Sequence, residues 1–121
     1  MGKQDVLDLD ILRPKKRIIR IGGKEIDAGF VPLAITWEID NLIQELREFD
    51  DERIKNEPGA SKRALQLSCD LCAAFCYEHD ELTSNWFMEN TGVVQINAFV
   101  GVIKETLMEA YAGIEAYPGN V

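Results

Sequence analysis

Three cysteines and the chain's single histidine, Cys69, Cys72, Cys76 and His79, come nearest to a set of residues whose types and spacing could do chemistry. Thiolates and imidazole are zinc ligands, and spacings of three and four repeat on one helical face. The geometry argues against a metal centre. At 1.5 Å of rise per residue, Cys69 and His79 stand about 15 Å apart on a helix, whereas zinc ligands lie roughly 2.0 to 2.3 Å from the ion. One helix offers two neighbouring ligands, not four, and without other cysteines or histidines the rest would have to be carboxylates. An iron–sulfur cluster ordinarily takes four cysteines. The Cys69-x-x-Cys72 pair has redox spacing but no surrounding βαβ pattern. Packing in a core is the expected role of all three thiols, and no cofactor is expected.

Two other groups meet the same fate. His79 lies among Glu78, Asp80 and Glu81, but successive residues on a helix point in different directions, so the run marks a solvated helix end, and no nucleophile pairs with it. Gly22-Gly23-Lys24 looks like part of a phosphate loop, yet that loop needs an earlier glycine and a Ser or Thr after the lysine, where this chain has Glu25. A hairpin turn explains it better. With neither a nucleophile and base nor a cofactor loop, the expected activity is binding, not catalysis.

These residues sit in a chain of 121 residues and 13.6 kDa, enough for one domain with its own core. Hydrophobic residues make up 46% and charged residues 28%, the balance of a globular protein. An odd cysteine count without a signal peptide suits a reducing cytoplasm, and no apolar run reaches the roughly 18 residues that span a bilayer. The net charge of −8 argues against nucleic acid as the main partner. It is unevenly spread: residues 1–24 carry seven Lys or Arg against three Asp, a net of +4, and residues 25–121 carry six against eighteen, a net of −12. The basic stretch Arg13, Lys15, Lys16, Arg17 and Arg20 has no interleaved aromatic residues for base stacking, so a solvated hairpin face is expected rather than an RNA or membrane contact. The same lopsidedness also permits head-to-tail self-association, the basic hairpin of one copy on the acidic helices of another.

Periodicity assigns the elements. Val6–Leu12 alternates apolar residues with aspartates, an edge strand or extended arm. Arg17–Ile21, the turn Gly22-Gly23 and Lys24–Phe30 form a β-hairpin, within about 13–30. From Val31-Pro32 the spacing changes to threes and fours through Ile35, Ile39, Leu42, Ile43, Leu46 and Phe49, predicting a helix that takes Thr36 as its N-cap or, as Pro32 permits, starts earlier, and that ends near Asn56. Ser61 caps a second helix carrying Leu65, Cys69, Cys72, Phe75 and Cys76, running to about His79. A short helix holds Trp86, Phe87 and Met88. The last runs from Val93 past Tyr111 and is apolar on nearly every side, as in a central or partner-covered helix. The expected fold is mainly α: one domain over 1–121, with three or four helices bundled over about 33–116 and the hairpin packed on them.

The stretch Asp8–Leu46 resembles the N-terminal region of tail assembly chaperones of long-tailed bacteriophages and prophages of Gram-positive bacteria. The resemblance is carried by Leu12-Arg13-Pro14, the turn Gly22-Gly23-Lys24-Glu25, the Phe30-Val31-Pro32 junction and the helix start Ile35-Thr36-Trp37-Glu38-Ile39-Asp40. It covers about a third of the chain and includes no catalytic motif. It implies a cytoplasmic, non-enzymatic protein that binds the tape measure protein, keeps its apolar helices soluble, helps recruit tail tube subunits and is absent from the finished virion. A structural tail component or connector that self-associates and stays in the particle is the alternative. Trp86, Phe87, Met88, Phe99, Tyr111 and Tyr117 are the expected partner contacts, because aromatic and Met side chains dominate adaptable interfaces.

Overall fold

Gly22 and Gly23 both adopt positive φ, 59° and 77°, closing a two-residue turn of the kind whose twist matches an antiparallel pair. They join β1 (Ile18–Ile21) to β2 (Lys24–Asp27), with Ile19 opposite Ile26 and Ile21 opposite Lys24. Period-two alternation places Ile19, Ile21 and Ile26 on the inner face, and Ile26 is buried. The computed structural model describes residues 6–116. Beyond the hairpin it is helical: α1 (Leu33–Arg47), α2 (Asp51–Asn56), α3 (Ala60–Phe75), α4 (Ser84–Asn90) and α5 (Val93–Ala116). The fold is therefore mainly α with a small N-terminal antiparallel hairpin. No described helix is long and apolar enough to cross a membrane.

The central helix is α3, not the apolar α5. It packs against α1, α2, α4 and α5, and Leu67, Leu71, Cys72 and Phe75 along it are 1% exposed or less. The core joins Leu71, Cys72 and Phe75 to Ile39 and Ile43 of α1, Phe87 of α4, Ile96, Phe99, Val100 and Ile103 of α5, and Ile26 of the hairpin. Of α5, Val94 is 82% and Met108 70% exposed. Apolar residues all round a helix state that more than one face can be buried, and here the neighbours cover only one.

Local hydrogen bonding moved several boundaries. Val6–Leu12 is not a strand: Asp8 accepts from the Asp10 N–H, and Leu9–Leu12 closes a single 3-10 turn with no buried residue. The first helix starts at Leu33 after the extended Pro32, and Thr36 sits inside it, its hydroxyl donating to the Pro32 carbonyl. It also stops at Arg47, because Asp50 accepts from the Arg53 N–H and caps a separate α2. Gly59, at φ 81°, takes the N-cap place expected of Ser61. At the other end α3 finishes at Phe75, and Cys76 to Leu82 forms consecutive turns through His79 N–H to Cys76 O and Leu82 N–H to His79 O.

Candidate interaction surface

The cysteines lie where packing was expected. Cys69 and Cys72 are on α3 and Cys76 just beyond it; all three are free, buried thiols. Burial pushes each thiol up, Cys76 to about 12, and the neighbouring Cys69 and Cys76 add to the effect at Cys72. No group of three or more His, Cys, Asp or Glu among the described residues is placed to hold a metal ion. A thiol held protonated is a poor nucleophile. At pH 8 the folded protein should react with a thiol reagent at least about a hundredfold more slowly than the urea-unfolded chain, all three sites being released together. Fast labelling of one site without unfolding would mean that α3 opens locally.

His79 ties the hairpin to the turns after α3. Its Nε2 lies 3.3 Å from the Glu25 carbonyl, and one turn further Glu81 pairs with Lys24 at 2.7 Å. The Lys24 hydrogen bond holds the Glu81 carboxyl below its ordinary range. Beneath His79, between Ile26 and Cys76, a cleft of about 20 Å³ has room for one water. A more open depression between α1 and α3 contains Ser84, whose hydroxyl donates to Asp70. The chain's one histidine is elsewhere, bonded to the hairpin, so it cannot serve Ser84 as a base.

Much of the hairpin's positive charge is paired within the molecule. Arg17 reaches Glu105 and Glu109 of α5, Arg20 pairs with Glu25, and Arg13 lies 3.9 Å over the Phe30 ring. Lys15 and Lys16 are exposed and make no ion pair among the described residues.

The expected partner contacts are scattered by the fold. Phe87 of α4 and Phe99 of α5 are core residues, 0% and 5% exposed with ring centroids 6.0 Å apart, so neither presents its side chain at the surface. Trp86 is half-buried, edge-on to Phe87 at 5.2 Å, with its ring under the Gly22 turn. Met88, on the same helix, is exposed at 44%. Tyr117 lies outside the described residues. Tyr111 is 53% exposed, and it leads to the surface that periodicity missed.

That surface is the rim between α1 and the end of α5. The Thr106 hydroxyl, buried beneath it, donates to Ala28 O and accepts from Arg17 Nη1, pinning α5 to the segment that enters α1. Five residues on, Tyr111 Oη donates to Asp40 Oδ1 across 3.4 Å. Leu33, Trp37 and Asp40, spaced by four and three, share a flank of α1; Lys104, Met108 and Tyr111, spaced likewise, share a flank of α5. The Tyr111–Asp40 hydrogen bond is the contact that joins the two rows. Leu33 is 78%, Trp37 73%, Met108 70% and Tyr111 53% exposed, so each row presents uncovered apolar side chains. α5 also overshoots the bundle here: Ala110, on the row of Phe99, Ile103 and Thr106, is exposed. Trp37 left one signal in the sequence, an aromatic residue off the Ile35, Ile39, Leu42, Ile43, Leu46 stripe.

Compared with models of known families, with curated proteins and with solved structures, the chain finds no match.

Proposed function

We propose that this protein is a non-enzymatic tail assembly chaperone of a long-tailed bacteriophage or prophage, acting in the host cytoplasm and absent from the finished particle. Its partner is the tape measure protein, whose apolar helices it keeps soluble while tail tube subunits are recruited. The observation that carries the binding part of this reading is the exposure of Leu33, Trp37, Met108 and Tyr111 along the rim. An amphipathic helix laid on such a surface buries its apolar face against two helix flanks. The phage assignment rests on the resemblance of Asp8–Leu46 alone.

The test is affinity capture of the tagged protein from its induced native host, with mass spectrometry of what co-purifies. The expected result is a long helical tape measure protein with the bait, and no bait in purified virions. Trp37→Glu should lower that recovery about tenfold or more while the circular dichroism stays that of the parent, because a central aromatic contact dominates binding and this side chain is exposed. Bait in mature particles would instead support a structural tail component.

A further inference from the structure

Val6, Leu7, Leu9, Ile11 and Leu12 are all exposed, between 46% and 76%, in a segment that buries nothing against its own molecule. Five large apolar side chains in seven residues are nonetheless held in order. The Asp8 carboxylate caps the 3-10 turn, the Arg13 N–H donates to Asp10 O, and the Arg13 guanidinium lies on the Phe30 ring. That anchor places the root of the arm three residues before Leu33, at the end of the molecule where the rim lies. The arm leaves its own rim open, with Leu33 and Trp37 more than 70% exposed.

We propose that the protein forms a two-fold dimer by arm exchange, the Val6–Leu12 segment of each copy lying on the Leu33, Trp37, Met108 and Tyr111 rim of the other. Area favours a second copy as the occupant. At roughly 100 Å² of exposed side chain per residue, the five apolar residues of the arm offer on the order of 500 Å² and the four of the rim on the order of 400 Å². A stable interface needs about 800 Å² from each partner, more than either set supplies alone, while a reciprocal exchange uses both sets of both copies, about 900 Å² per copy. Charge agrees. Residues 6–12 carry Asp8 and Asp10 and no base, and the cation on the Met108 and Tyr111 row is Lys104, which is exposed and makes no ion pair among the described residues. In the functional reading above, a client helix would displace the arm; that consequence rests on that reading, whereas the dimer does not and is tested without a client.

The experiment is sedimentation of the purified full chain in low and high salt, beside a variant lacking residues 1–12 and Trp37→Glu. Residues 6–12 bury nothing and Trp37 is exposed, so the circular dichroism of each variant should match the parent, with melting lower only by the concentration-dependent share that the dimer contributes. The expected result is a dimer of the 13.6 kDa chain that persists in high salt, with both variants monomeric. Contact is then read by mixing Leu9→Cys copies with Met108→Cys copies and adding a short bismaleimide. A covalent pair should form that is absent when exposed Gln66→Cys replaces Met108→Cys. A monomeric parent, a dimer indifferent to arm removal, or one that salt dissolves would overturn the proposal, the last favouring hairpin-on-helix docking. Equal cross-linking to Gln66→Cys would overturn it as well.

Discussion

Phe87→Ala should cost about 3–5 kcal/mol and lower the melting temperature by about 10–25 °C. Phe87 is fully buried, edge-on to Phe99 at 6.0 Å and to Trp86 at 5.2 Å, and Phe99 in turn meets Phe75 of α3 at 6.4 Å. Its ring is the main contribution of α4 to the core. α4 is only seven residues long, too short to hold its helix without that packing, although Thr83 caps it through the Trp86 N–H. Removing the ring opens a cavity between α3 and α5 and loosens Trp86 under the hairpin turn. Against a total stability of about 5–15 kcal/mol for a domain, the variant would be marginal. Met88→Ala, one residue away and exposed, should stay within about 0.5 kcal/mol. Paired thermal melts read both. If Phe87→Ala melted like the parent and only lost a binding partner, the residue would belong to the interface and not to the core.

The second large effect is expected at Gly29, a buried position between β2 and α1. A Cβ there would run into the Lys15 carbonyl, lie 3.0 Å from the Arg17 nitrogen and 3.2 Å from Asp27 Oδ1. These are backbone atoms and a side chain already committed. Asp27 Oδ1 accepts from the Arg17 N–H at 3.1 Å and from the Gly29 N–H at 2.9 Å, a clamp that ends β2 and turns the chain toward α1. The intruding methyl has no flexible side chain to push aside, so Gly29→Ala should cost about 2–3 kcal/mol and shift the urea midpoint down. Gly23→Ala is the internal comparison: its φ of 77° strains an L-residue but nothing lies within 4 Å, so about 1 kcal/mol is expected. A Gly29 variant no worse than the Gly23 variant would show that the Lys15–Arg17 segment and the β2–α1 turn are not pressed together. The position also bears on the dimer, since residues 13–17 are the root from which the arm is presented.

Wherever the signal was local, it was legible. Paired glycines between β-rich runs mark a two-residue hairpin, and its register follows at once, because a two-residue turn sets Ile21 opposite Lys24. The Ile35, Ile39, Leu42, Ile43 stripe finds the inner face of α1, and the cysteine spacing finds the inner face of α3. The split of the first helix was harder to see. Phe49 continues the spacing, and only the Asp50 side chain taking the Arg53 N–H shows that the chain leaves the helix and starts again. Thr36 and Ser61 are good N-caps by type, but Pro32 and Gly59 had already set the helix starts.

For the candidate surface the balance reverses. Phe87, Phe99, Trp37 and Tyr111 are all large aromatic residues on helices, and nothing in their types tells the two inside from the two outside. Composition and spacing alone determined that the chain is mainly helical with one hairpin, that its described cysteines share a helix face unsuited to a four-ligand metal site, and that its charge is divided between its ends. Those properties depend on residues near one another in sequence. Tertiary structure decided which helix is central, where α5 runs past its neighbours and which aromatic residues remain uncovered. Burial is set by how far a neighbouring element extends, and Thr106 to Ala28 and Tyr111 to Asp40 join residues more than seventy positions apart. A helix apolar on every side carries several possible core faces, and only packing against α3 selects one.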